Sequence, residues 1–181
     1  MIGETLADRI LRVDHCGEHV AVCTYLAQRR LAKLTAPAML AEIDGFIAHE
    51  LRHRALFADE IARRGWKHCW TYRLCGIFGT VLGTCTGLFG ARAIAATTVA
   101  IERVVLRHMA SQIGELAESD PIAANILRAI IADERAHHDE SGRRLRGGIF
   151  EAALIPLVAA GTETVIWLGM RRRLGRGPTP Q

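Results

Sequence analysis

The sequence predicts an all-α fold: four long helices arranged as two hairpins, followed by one or two shorter apolar helices. Three observations predict it. Half of the 181 residues are hydrophobic and only 6% are aromatic, with Ala, Leu, Ile and Arg dominant, which favours helix over sheet. Apolar residues recur at three- and four-residue spacing through most of the chain. The tetrad E-x-x-H occurs twice, as Glu50 and His53 in ELRH and as Glu134 and His137 in ERAH. At this length the chain fits one domain, 1–181, whose core needs no disulfide.

Each element has its own signal. Leu6, Ile10, Val13, Val20 and Leu26 mark a first helix over 4–34, ended by the TAP of residues 35–37. Pro37 suits the first turn of a second helix, which carries ELRH and stops near Gly65; residues 1–65 thus form the first hairpin. Residues 66–90 are apolar and hold Gly76, Gly79, Gly83, Gly87 and Gly90, and are read as a crossover connection. A third helix covers 91–116. ESDP at 118–121 is a turn in which Ser119 or Asp120 caps a fourth helix reaching about Leu145, so that 91–146 is the second hairpin. The apolar segment 147–174 is expected to form one or two helices bent by Pro156 and Gly161, and 175–181 is a tail.

The two hairpins are copies. Glu102, Glu134 and His137 follow Glu18, Glu50 and His53 at a constant offset of 84 positions, and Val20 and Gln28 recur as Val104 and Gln112. In each hairpin the upstream Glu and the E-x-x-H are equidistant from the turn. In an antiparallel pair such residues sit at one height, here about 24 Å from the turn at ~1.5 Å per residue. Glu and His at i and i+3 share a helix face and can aim at one point.

Packed together, the hairpins supply Glu18, Glu50, His53, Glu102, Glu134 and His137. This is the ligand set of the di-iron or di-manganese carboxylate bundles, a Glu from each of two helices and E-x-x-H from the other two. Four carboxylates neutralise two divalent ions, which makes their burial tolerable. Without metal they repel one another and take up protons. Oxygen-rich ligands with two imidazoles suit iron or manganese better than structural zinc. HELRH at 49–53 also spells the zinc-protease pattern H-E-x-x-H, but that reading leaves Glu18, Glu102 and ERAH unexplained, so His49 is assigned to the surface or to packing. His15, His108 and His138 read as hydrogen-bonded structural residues. Asp14, Asp133 and Asp139 are placed either to orient the ligand imidazoles or in salt bridges to arginine.

The remaining features narrow the class. The net charge is +4, and its excess lies near the end, in MRRRLGRG at 170–177, rather than along a face that could follow nucleic acid. Cys16, Cys23, Cys69, Cys75 and Cys85 form no CxxC pair and are expected as reduced thiols. The N-terminal stretch lacks the apolar core of a secretion signal. The uncharged run 74–91 is short and glycine-rich, and 152–162 holds Pro156, so neither is read as transmembrane.

RVDHCGEHVAVCTYLAQ at 12–28, VAIERVVLRHMASQ at 99–112 and DERAHHD at 133–139 together resemble the demethoxyubiquinone hydroxylases of ubiquinone biosynthesis, across nearly the whole chain. The resemblance implies a ferritin-like four-helix bundle with Glu18, Glu50, His53, Glu102, Glu134 and His137 as iron ligands. It implies a monooxygenase that uses two Fe ions, dioxygen and a reductant such as NADH to hydroxylate the ring of a polyprenyl ubiquinone precursor, demethoxyubiquinone to demethylubiquinone. The expected partners are a lipophilic quinone and a membrane surface, with the protein peripheral on the cytoplasmic face of the inner cell membrane, as a homo-oligomer or in a ubiquinone-biosynthesis complex. Trp66, Trp70 and Trp167 are expected at headgroup level and Arg171 to Arg173 against anionic lipid. The chain departs from the family at Met109, where Tyr is usual, at Arg103, where a second Glu is common, and at Trp167, which replaces a Tyr. A ferroxidase or iron-storage protein would use the same ligands, but the apolar end of the chain argues against its polar shell.

Overall fold

In a computed structural model describing residues 3–171, the protein is all-α and adopts a ferritin-like bundle. Arg172, Arg173 and the 175–181 tail lie outside the described residues. The first helix, α1 (Leu6–Thr35), opens with a capping box in which Thr5 and Asp8 satisfy each other's backbone amides. A 3₁₀ turn at Pro37–Met39 leads into α2 (Leu40–Arg63), and Gly65, at φ 72°, ends the first hairpin. The second hairpin is α4 (Ala91–Leu116) with α5 (Pro121–Gly142), the latter capped by Asp120, whose side chain accepts from the Ala123 amide.

Two apolar layers fill the bundle. One gathers Ile10, Leu11, Phe57, Ile61, Leu116, Leu127 and Ile130; the other, towards the opposite end, gathers Tyr25, Met39, Ile43, Phe46 and Ile94. Each fully buried side chain of this size contributes roughly 1.5–3 kcal/mol relative to exposure. Along α1, α2 and α4, Glu18, Glu50, His53 and Glu102 fall between the two layers, and on α5 Glu134 and His137 follow the first layer.

The 66–90 connection is not irregular: its larger part is a helix, α3 (Tyr72–Leu88). Glycine disfavours an isolated helix, but here it lets α3 lie directly on α1. A Cβ at Gly79 would collide with the Val20 carbonyl oxygen, and one at Gly83 with that of Thr24. Small residues therefore face inward, while Leu74, Ile77, Phe78, Val81 and Leu88 are exposed on the far side. The C-terminal segment likewise forms one helix, α6 (Ile149–Arg171), which continues through Pro156. It packs mainly on α4, as α3 packs on α1. By length and composition it could cross a membrane, and little of its apolar stretch is buried. Trp70 and Trp167 are exposed, but Trp66 is half-buried against the core, with the Arg12 guanidinium 5.6 Å over its ring.

Candidate metal centre

The six residues singled out by their spacing converge. One group joins Glu18, Glu50, His53 and Glu134, the other Glu50, Glu102, Glu134 and His137; within each, one ligand-capable atom per residue lies within 4.8 Å of all the others. Glu50 and Glu134 belong to both groups, as they would if two adjacent ions shared two carboxylates. All six side chains are buried. Helix α1 brings Glu18, α4 brings Glu102, and the i, i+3 pairs on α2 and α5 aim both members inward.

The donor atoms fit a metal by a simple test. His53 Nδ1, His137 Nδ1, Glu50 Oε1 and Glu134 Oε1 are shielded from solvent and make no aligned hydrogen bond, although His53 Nδ1 stands 2.8 Å from Glu134 Oε1 and His137 Nδ1 3.4 Å from Glu50 Oε1. Buried polar atoms are normally satisfied; atoms converging without alignment are what a third body between them would satisfy.

Protons substitute for that charge in the metal-free protein. Burial, then repulsion from Glu50, pushes the Glu18 carboxyl well above the usual range, and burial with Glu134 does the same to Glu102. Burial opposes the charged form of His53, but Glu134 and Glu18 outweigh it and raise the imidazole to about 11. Burial also opposes charge on His137, and Glu134 and Glu50 raise it to about 9. Burial acts to raise Glu134 as well, but His137 and His53 together hold it below the ordinary carboxylate range. Metal entering this cluster would displace protons.

The surroundings orient the donors. His53 Nε2 donates to Asp133 Oδ2 at 3.0 Å, so Nδ1 is the nitrogen that would be freed for a metal once it gives up its proton. His49 is partly exposed, as its surface assignment requires, yet its Nδ1 lies 3.0 Å from His137 Nε2 and its ring stacks on that imidazole. Burial keeps His49 below the usual imidazole range, so it is suited to accept there. Asp14 and Asp139 touch neither imidazole: Asp14 accepts from Gln112, and Asp139 pairs with His138. Tyr25 was not evident from motifs. Its hydroxyl donates to Glu102 Oε1 at 2.9 Å, and the available signal is its position two turns beyond Glu18 on the same face. His15 stacks on Tyr72, and His108 Nε2 lies 2.9 Å from Glu163 Oε2.

Beside the cluster is a cavity that is partly open to solvent. Glu18, Glu50, Glu102 and Glu134 form its inner end, Val13, Val105 and Met109 its sides, and Phe78, Leu82, Val165 and Ile166 its outer wall between α3 and α6. A largely apolar chamber with a few convergent polar groups is the usual form of a small-molecule site.

Comparisons with known proteins agree with this architecture. Residues 5–169 match the family described as ubiquinone biosynthesis protein COQ7. The chain is 32% identical over 172 residues to a Rhodospirillum rubrum 3-demethoxyubiquinol 3-hydroxylase, covering 92% of this chain and 78% of that one. It is 30% identical over 175 residues to the Mus musculus mitochondrial NADPH-dependent 3-demethoxyubiquinone 3-hydroxylase, and 29% identical to that of Homo sapiens, in each case covering 94% of this chain and 80% of the relative. The mammalian names carry NADPH rather than the expected NADH.

Proposed function

Because the chain belongs to the family of ubiquinone biosynthesis protein COQ7, we propose that it is a di-iron monooxygenase that hydroxylates the ring of a polyprenyl demethoxyquinone. The observation that carries this reading is the pair of four-residue groups sharing Glu50 and Glu134 at the closed end of an apolar cavity. Glu18, Glu50 and His53 with Glu134 would hold one iron, and Glu102, Glu134 and His137 with Glu50 the other. Iron bound there supplies dioxygen activation. The chain's own residues do the rest. Asp133 and His49 hold the imidazoles, Tyr25 holds Glu102, and the flanking apolar layers exclude water from the carboxylates.

The substrate reaches the cavity through the α3 and α6 wall. Leu74, Ile77, Val81, Leu88, Phe89, Leu157 and Trp167 are exposed on these helices, and the Phe89 and Phe150 rings lie 6.0 Å apart across them. Exposed apolar side chains of this kind suit the surface of a bilayer, where the isoprenoid tail resides. A peripheral position on the cytoplasmic face of the inner cell membrane is part of the same proposal. NADPH is the reductant its mammalian relatives' names favour.

The test is to load the protein with Fe(II) and supply reductant and a short-tailed demethoxyquinone under labelled dioxygen, with mass spectrometry of the product. One labelled oxygen atom in the ring is expected. Oxygen uptake with iron oxidation and an unlabelled ring would instead make the protein a ferroxidase.

A further inference from the structure

The cavity holds two acceptors that nothing in the protein uses. Gln112 Nε2 donates to Asp14 Oδ1 at 3.3 Å, and this contact fixes which way the amide faces. Asp14 Oδ2 and Gln112 Oε1 are then left shielded from solvent and unpartnered, and both residues line the cavity. Asp14 lies one helical turn before Glu18, about 6 Å along α1. Gln112 is 6% exposed. Unsatisfied buried oxygens are uncommon in folded proteins, and two on neighbouring residues that line one chamber point to a ligand with donors.

Apart from the second N–H of Gln112, the side chains of the wall offer no competing donor at this level. The Thr162 hydroxyl donates to the Val158 carbonyl. His108 Nε2 is engaged by Glu163, which leaves Nδ1 as an acceptor. Val13, Val105 and Met109 are apolar. A fully oxidised ring, bearing only carbonyl and ether oxygens, has no donor for these two oxygens. A reduced ring carries two hydroxyl donors.

We propose that Asp14 and Gln112 are the residues that recognise a ring hydroxyl, so that the site selects the quinol over the quinone. This rests on the hydroxylase reading. Burial, opposed by the Gln112 hydrogen bond, raises the Asp14 carboxyl to about 7. Its ionised form is therefore more basic than an ordinary carboxylate and accepts more strongly from a phenolic O–H.

The experiment measures anaerobic binding of a short-tailed demethoxyquinol and of the matching quinone to the iron-loaded protein at pH 8, where Asp14 is largely ionised. Wild type is expected to favour the quinol by about tenfold or more. Asp14→Asn, which presents a donor in place of an acceptor, should lose that preference while its iron content and near-UV dichroism stay unchanged. Should that variant fail to fold, Gln112→Leu must weaken quinol binding and leave quinone binding intact. The proposal is overturned if wild type binds both redox forms equally, or if a folded, iron-replete Asp14→Asn keeps the wild-type ratio. Labelled hydroxylation by a wild type without redox preference would overturn this proposal alone, whereas binding of neither form and no hydroxylation would overturn the hydroxylase reading with it.

Discussion

Asp133 Oδ2 stands 3.0 Å from His53 Nε2, on the far side of the ring from the nitrogen that faces the glutamates. The same carboxylate receives Arg52 at 2.9 Å, so it is itself held in place. Asp133→Ala would free the imidazole to rotate and remove the charge that sharpens it as a donor to metal. Affinity for the ion beside His53 should fall by roughly 10–100-fold, as for other residues that orient a metal-binding imidazole. Competition with an Fe(II) chelator measures it, and unchanged affinity would show that the contact is incidental.

His49→Ala separates the two metal readings of HELRH. A zinc-protease site needs both His49 and His53 as ligands and would lose its ion outright. With His49 only backing His137 at 3.0 Å, two iron equivalents should still bind, with a weaker second site and no peptidase activity before or after the change. Complete loss of metal would favour the protease geometry.

The seam between α1 and α3 predicts opposite outcomes for two glycine substitutions. Gly79→Ala places a Cβ against a backbone carbonyl that cannot rotate away, so the helices must part; overpacking of this kind costs about 1–3 kcal/mol and should lower Tm. Gly114, inside α4, has nothing within 4 Å of its would-be Cβ, and Gly114→Ala should raise stability by roughly 0.5–1 kcal/mol through helix propensity. Thermal melts of both variants test the contrast.

Arg64 gathers Asp8, Glu60 and Asp120 at one end of the bundle. Hydrogen bonds from Arg64 hold Asp120 below its usual range, and those from Arg63 and then Arg64 do so for Glu60. Depressed carboxylates contribute stability that is fully present above their unfolded values, about 4, and is lost as pH falls through the lower folded values. Arg64→Met should therefore flatten the acid limb of the stability curve below about pH 4 and leave its slope near neutrality unchanged. Denaturant melts across pH 2–7 would show it, and a parallel acid limb in the variant would refute it.

Much of this molecule is legible in its sequence because the information is periodic. The repeat of Glu18, Glu50 and His53 as Glu102, Glu134 and His137 needs only helix geometry to become a cluster, and the structure brings all six together. Residues 72–88 resist the same reasoning because five glycines between 76 and 90 argue against a helix locally; what makes α3 helical is the backbone of α1 beneath it, a long-range contact. Pro156 misleads in the same direction, since packing of α6 against α4 outweighs one lost hydrogen bond. Asp14, Asp133 and Asp139 look alike as sequence, and only the side-chain directions distinguish Asp133 as the one that meets an imidazole of the six-residue cluster. Tyr25 carries no signature beyond sharing a face with Glu18, whereas Gln112 is marked in the sequence only by its recurrence from Gln28 at the 84-residue offset.

Each half of the chain contributes a first helix, an E-x-x-H helix and an apolar side helix, yet neither half owns a complete binding group. The first group takes three residues from the front half and Glu134 from the back; the second takes three from the back and Glu50 from the front. An ion in either position is therefore a cross-brace between the halves, and the affinity for metal and the affinity of one half for the other are parts of a single equilibrium. A chain divided at Gly90 would make this visible: its two fragments should need metal to find each other, and chelation should part them.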